Sequence, residues 1–288
     1  MLDLYSPYER IQWRNPLFQR ELRLLRWKPH PQLIRQINFR TLGWLVALQI
    51  VLFLVTIFTF EVGSLFPLAI ILGVQILISM GADCYTLLGT IYLWQSRRQR
   101  ELWDALRLTN FDEMELVTIL SALAELRSWL ALQIDSTQRV ALTAIAFIAA
   151  GGMLCTLPTN ALTAAWDVFF MRITLIAFVF MQGVLYLRAP LWRYRTTVML
   201  GVWVAEITRE TITALFTGIA VVFGLRLTVI FGVLALATLY SRSTGGGSVL
   251  FSIVMLCLTG LLPPVTWRLY AGLHAWAARQ TIRHMFQQ

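Results

Sequence analysis

Residues 93–130 read LWQSRRQRELWDALRLTNFDEMELVTILSALAELRSWL, a charged, helix-patterned insert between two long apolar runs. The insert decides the fold because of what flanks it. Apolar blocks on both sides are long enough to cross roughly 30 Å of hydrocarbon, which takes about 20 helical residues at about 1.5 Å each. Trp94 suits a membrane interface, and Arg97, Arg98 and Arg100 behind it hold that end on the cytoplasmic side. A charged insert in that place is where a membrane protein meets the cytosol.

The whole chain agrees. It is 58% hydrophobic and 14% charged, with a mean hydropathy of +0.67, outside the range of soluble domains. The fold class expected is an all-α, polytopic integral membrane protein, because unbroken apolar runs fit helices and not a barrel. The first forty residues are polar and basic and lack a signal peptide's short apolar core and cleavage site, so the first span is expected to direct insertion.

The net charge of +9 invites a nucleic-acid reading, which the placement of the basic residues opposes. Arg10, Arg14, Arg20, Arg23, Arg26, Lys28, Arg35 and Arg40 precede the first span, and most others flank later ones. That is the positive-inside pattern, so the partner is the lipid bilayer and not nucleic acid. Cys84, Cys155 and Cys257 each stand alone in an apolar block with no histidine at ligand spacing, and are expected to pack without disulfides or metal.

Two segments follow: residues 1–40 as a cytoplasmic N-terminal segment, and residues 41–288 as a transmembrane domain containing the insert at 95–138. Spans are expected at about 41–60, 65–94, 140–157 and 166–187. The EVGS turn at 61–64 and the PTNALTA loop at 158–164 lie outside. Arg188, Arg193 and Arg195 then mark a cytoplasmic turn. Between 196 and 240 charges interrupt the apolar sequence. One long fifth span at about 197–223 and a short re-entrant element at 227–240 are expected, with two full spans as the alternative. The SRSTGGGS run at 241–248 is a loop. The last span starts near Val249, is expected to kink at Pro263 and Pro264, and is followed by Arg268, Arg279 and Arg283. Both termini are therefore expected in the cytoplasm of a multi-pass protein of the cell membrane, with six spans.

Two cytoplasmic elements carry more information. Asn15-Pro16 is a helix start. After it Phe18, Leu22 and Leu25 share one face while Arg20, Arg23 and Arg26 line the other, the pattern of an amphipathic helix in the membrane surface. Packing against the protein's own loops is the alternative. In the insert, Asp112 and Glu115 have capping-box spacing, which predicts a helix from Glu113 continued by Leu116, Ile119, Leu120 and Leu123. Leu102, Trp103 and Leu106 form a second short face, with Thr109, Asn110 and Phe111 as the turn. Docking a partner and packing internally both explain so much apolar patterning.

These residues resemble the permease subunits of type-2 ABC transporters, the exporter class. NPLFQRELRLLR at 15–26 resembles the family's opening, and ELWDALRLTNFDEMEL at 101–116 its coupling segment, with Trp103, Asp104, Leu106 and Thr109 matching by position. The resemblance implies six spans, an N-terminal interfacial helix, cytoplasmic coupling helices that dock on a separate ATP-binding subunit, and a re-entrant element before the last span. It also implies a dimer with a second permease copy or paralogue. The docking residues it implies are Trp103, Asp104, Leu106, Thr109, Phe111, Asp112, Glu113 and Glu115. ATP and Mg would belong to the partner, so no cofactor is expected in this chain. Three departures stand in the segment: Glu101-Leu102 for Gly-Thr, Asn110-Phe111 for Pro-Leu and Ile119-Leu120 for Gly-Lys. They fit a diverged half of a heterodimer, or a permease descendant used as a non-transporting accessory or scaffold subunit.

No catalytic or metal motif appears. The Gly245–Ser248 run lacks the lysine of a P-loop, there is no HExxH or GxSxG, and His30, His274 and His284 have no ligand spacing. The intramembrane polar residues Asp83, Arg172, Glu206, Arg209 and Glu210 remain, since a charge in hydrocarbon is costly unless paired or hydrated. Asp83 is expected to pair with a neighbouring span, with Arg172 as the partner considered. The other reading is a pathway position binding a cationic or hydroxyl-bearing group. Glu206, Arg209 and Glu210 sit three and four apart, which predicts local pairing on one helical face, with pathway lining as the other reading. Arg226 is expected to snorkel at the outer interface.

Overall fold

The computed structural model describes residues 18–19, 43–44, 46–51, 66–98, 113–156, 165–208, 210–243 and 249–286. Among these residues the regular structure is entirely helical. Six helices have defined bounds: α1 Phe66–Arg98, α2 Glu113–Arg127, α3 Trp129–Thr156, α4 Ala165–Ile207, α5 Thr211–Ser243 and α6 Val249–Phe286. The long apolar runs dictate this, because a backbone removed from water must bond within its own segment. Two helices are long and apolar enough to cross a membrane, over Gly73–Ser96 and Thr211–Gly232, and the chain is a membrane protein. A third candidate is the pair Val117–Arg127 and Ala131–Ala144, bent by 61°.

Helix α2 begins at Glu113, where the capping-box spacing places it. The expected span at 65–94 is α1, and the segment expected as the last span is helical from Val249 and runs as one helix through Pro263 and Pro264. Residues 43–44 and 46–51 of the expected first span are helical. The rest of that span, the 61–64 turn, the 158–164 loop and residues 244–248 lie outside the described residues.

Three expectations are corrected. Arg188, Arg193 and Arg195 do not form a turn: α4 runs 43 residues through all three and through Pro190. The break comes instead at 208–210, so the expected span at 197–223 is divided between α4 and α5. No separate re-entrant element exists at 227–240, which is the second half of the 33-residue α5. The last ten residues of the expected insert, 129–138, form the start of α3, continuous with the apolar run at 140–156.

Side-chain contacts give the directions. Asp83 meets Arg193, Thr90 meets Gly201 and Trp94 meets Glu206, so α1 and α4 run parallel. Gly260 lies near Met181, Thr196 bonds the Tyr270 carbonyl and Trp203 packs on Trp276, so α6 follows α4 in the same sense. Helix α5 opposes α1, through Gln95 with Thr211, Leu87 with Gly218 and Asp83 with Arg226. Helix α3 opposes α4, through Asp135 with Arg193 and Thr143 with Gly183. The C-termini of α1, α4 and α6 thus share one end, where α5 begins.

The core lies toward that end. Leu87, Ile91, Leu123, Leu126, Val198, Met199 and Leu200 are fully buried there. Glycine allows the closest approach: a Cβ at Gly218 would lie 2.7 Å from Leu87 Cδ2, and one at Gly201 would lie 3.2 Å from Thr90 Cβ. Thr86 and Thr90 donate to the carbonyls four residues back at 2.7 Å, leaving their methyl groups for packing.

Candidate functional site

Gln75, Ser79 and Asp83 recur every fourth residue on α1, and this polar stripe is buried. A buried carboxylate needs cationic or hydrogen-bonding partners. Asp83 finds them on two other helices: Arg193 Nε of α4 lies 2.9 Å from Oδ1, and Arg226 Nε of α5 lies 3.2 Å from Oδ2. Arg193 also donates through Nη2 to Asp135 Oδ2 of α3 at 2.7 Å. One guanidinium therefore bridges two carboxylates, a task its planar fork suits.

Asp135 is held further by Arg139 Nε at 3.2 Å and Gln75 Nε2 at 3.1 Å, both on Oδ1. Arg139 in turn donates to Ser79 Oγ at 3.0 Å and to the Tyr186 carbonyl at 3.1 Å, and lies 4.5 Å over the Tyr186 ring. Arg226 Nη2 also donates to Ser79 Oγ. The network thus ties α1, α3, α4 and α5 together.

Its level in the bundle follows from helix arithmetic. Asp83 is 98 − 83 = 15 residues from the end of α1, Arg193 is 207 − 193 = 14 from the end of α4, and Arg226 is 226 − 211 = 15 from the start of α5. At about 1.5 Å per residue each lies about 21–23 Å from the shared end. Asp83 and Arg226 are therefore close to the midpoints of their helices.

This corrects three expectations. Asp83 is paired, as expected, but with Arg193 and Arg226; the side chain of Arg172 lies outside the described residues. Continuation of α4 through 188–195 is what carries Arg193 to the level of Asp83. Arg226 is not at an outer interface, because Asp83 holds it inside the bundle. Glu206 and Glu210 do not share a helical face. Glu206, buried in the last turn of α4, accepts from Trp94 Nε1 at 2.8 Å. Glu210 lies in the break, where its carbonyl takes the Ala214 amide at 3.0 Å and its carboxylate accepts from Thr213 Oγ1 at 3.1 Å. It caps α5. Arg209 lies outside the described residues.

A second constellation surrounds the bend between α2 and α3. Ser128 Oγ donates to the Ala124 carbonyl at 2.7 Å, and its hydroxyl lies 2.9 Å from the Tyr194 hydroxyl of α4. Tyr194 also bonds the Glu125 carbonyl. A carbonyl loosened by the bend thus gains a side-chain partner, and α2 is pinned to α4. Helix α2 buries Val117, Ile119, Leu120, Ala122, Leu123, Ala124 and Leu126. It does not project from the bundle, since side chains apolar on nearly every face are stable only when covered.

Of the expected docking residues, Trp103, Asp104, Leu106, Thr109, Phe111 and Asp112 lie outside the described residues, Glu113 starts α2, and Glu115 is exposed. Phe18 is fully buried in the core, which favours packing of the N-terminal helix on the protein at that residue over burial in lipid. Arg20, Leu22, Arg23, Leu25 and Arg26 lie outside the described residues.

Asp135, Arg139 and Arg193 were not read from the sequence as site residues. Two signals point to them: Asp135 and Arg139 are spaced i, i+4 in an otherwise weakly charged helix, and Gln75, Ser79 and Asp83 form a polar stripe that needs partners. Comparison with protein-family models, with curated proteins and with solved structures finds no match to this chain.

Proposed function

We propose that this chain is the membrane-spanning permease subunit of an ATP-driven exporter of the type-2 ABC class, working as a dimer with a separate ATP-binding subunit. The observation that carries the reading is the position and linkage of α2. It opens within the segment 101–116 that resembles a coupling element, and is joined through a 61° bend to α3 and through Tyr194 to α4. Motion imposed on the Trp103 to Glu115 region by an ATPase would pass into both helices. The alternating directions of α3, α4, α5 and α6 support a six-span chain with both termini and the 208–210 break on the cytoplasmic side. Trp103 and Asp104 are the residues to test. Their replacement by alanine should abolish stimulation of the partner's ATPase by this chain; unchanged stimulation would remove the docking assignment.

The second reading is a non-transporting scaffold subunit of a larger membrane complex. Burial of α2 on nearly every face and the buried cross-links among four helices favour it, because both stiffen the bundle. The two readings separate on whether an ATPase accompanies the chain.

A further inference from the structure

The network around Asp83 and Arg226 is not electrically closed. Arg139, Arg193 and Arg226 face two carboxylates, Asp83 and Asp135, among the described residues. One positive charge is left over in an apolar bundle, where charges are stable only with a counter-ion or water. The excess is localised. Arg193 lies between both aspartates, whereas Arg139 and Arg226, each beside one aspartate, also converge on one neutral oxygen, Ser79 Oγ. Two like charges focused on a buried hydroxyl repel each other, and an anion is the group that relieves them.

Polar groups around that point are also unspent. Gln75, only 5% exposed, gives its amide nitrogen to Asp135 and leaves Oε1 without a partner. The hydroxyl of Tyr186, whose ring lies under Arg139, is buried and unpartnered. Arg226 sets Nε 3.2 Å from Asp83 Oδ2 as an ion pair without hydrogen-bond geometry, so that Oδ2 too has no hydrogen-bond donor, and it donates through Nη2 to Ser79; its Nη1 has no partner among the described residues. The vacant donors suit an oxyanion, and the vacant Gln75 acceptor suits a hydroxyl on the same ligand.

We propose that the Arg139–Ser79–Arg226 junction is an anion site that takes one hydroxyl-bearing, singly charged oxyanion, a dihydrogenphosphate or the phosphoglycerol headgroup of a lipid. The oxyanion supplies the third negative charge, with Arg226 Nη1 and Tyr186 OH donating to it and its hydroxyl donating to Gln75 Oε1. The site stands on the charge count and the geometry, and does not depend on the exporter reading.

The test uses the full-length protein, with any subunits that accompany it, in detergent free of phosphate and phospholipid. Its Tm is followed during titration with inorganic phosphate, against sodium chloride of matched ionic strength. It is also followed in nanodiscs of phosphatidylcholine with and without phosphatidylglycerol. A saturable rise of about 4 °C or more is expected, lost in Arg226→Gln and reduced in Tyr186→Phe, which leaves the charge count unchanged. A rise with phosphate identifies a free oxyanion, and one with phosphatidylglycerol alone identifies a lipid headgroup. No rise with either, or an equal rise in Arg226→Gln, overturns the site. Neither result bears on whether an ATPase binds at the Trp103 to Glu115 region.

Discussion

Arg139 Nη1 donates to the carbonyl of Tyr186 at 3.1 Å, and Tyr186 stands four residues before Pro190. Proline has no amide hydrogen, so Pro190 leaves that carbonyl without its helical partner, and the guanidinium from α3 replaces it. A defect in one helix is thereby turned into a cross-link to another. Arg139→Met should cost about 1–3 kcal/mol, the penalty of an unsatisfied buried polar group. In a Pro190→Ala background the restored amide serves the carbonyl, and the same substitution should cost about 1 kcal/mol less. A double-mutant cycle by denaturant unfolding in mixed micelles measures the difference; additivity would mean the bond carries no weight.

Charge balance governs the network more than any single pair. Asp135→Asn leaves three guanidiniums facing Asp83 alone and should cost about 3–5 kcal/mol, as expected when a buried pair loses one member. Adding Arg226→Gln should recover part of that loss, although Arg226 does not touch Asp135. Further destabilisation of the double variant would show that local contacts, not the count of charges, decide stability.

The Tyr194 hydroxyl touches both the Glu125 carbonyl and Ser128 at the bend between α2 and α3. Tyr194→Phe keeps the ring and removes the pin, which should cost about 1–2 kcal/mol. Amide exchange should rise over residues 124–132 and stay unchanged at the far ends of α4 and α6. Uniform acceleration would mean the residue matters only through global stability.

Two glycines of α5 should behave in opposite ways. Gly218→Ala drives a methyl to 2.7 Å from Leu87 Cδ2, and Leu87 is too deeply buried to swing aside, so a loss of about 1–3 kcal/mol is expected. Gly224 has nothing within 4 Å of its Cβ position, and Gly224→Ala should be neutral or gain up to about 1 kcal/mol from helix propensity. Similar effects at both sites would place α5 elsewhere against α1.

The helices were legible in the sequence where apolar runs or capping chemistry mark them: α1, the start of α2 at Glu113 and the start of α6 at Val249. The end of α4 was not. Arg188, Arg193 and Arg195 read as a cytoplasmic turn because an isolated sequence offers an arginine only water or headgroups as partners. Tertiary contact supplies Arg193 with Asp83 and Asp135 instead, and helix continues. The converse holds at 206–210, where i, i+3 and i, i+4 spacing imitates a helical face across a break. Asp83 stood out as a costly intramembrane charge, but its partners lie on helices distant in sequence, so pattern alone could not choose among the arginines.

The break at 208–210 makes a prediction about sidedness. In a background lacking Cys84, Cys155 and Cys257, a cysteine at 209 should react with an impermeant thiol reagent only when the cytoplasmic face is open. One at 246, beyond the other end of α5, should react from outside. Labelling of both from one side would contradict the span order.

The most direct test of the proposed function is the composition of the complex that this chain forms, measured by mass spectrometry with stoichiometry after gentle solubilisation of native membrane. The account predicts an ATP-binding subunit at about one per permease chain, together with a second permease copy or paralogue. Large membrane subunits in stoichiometric amount with no ATPase among them would contradict it, and would assign the bundle to scaffolding.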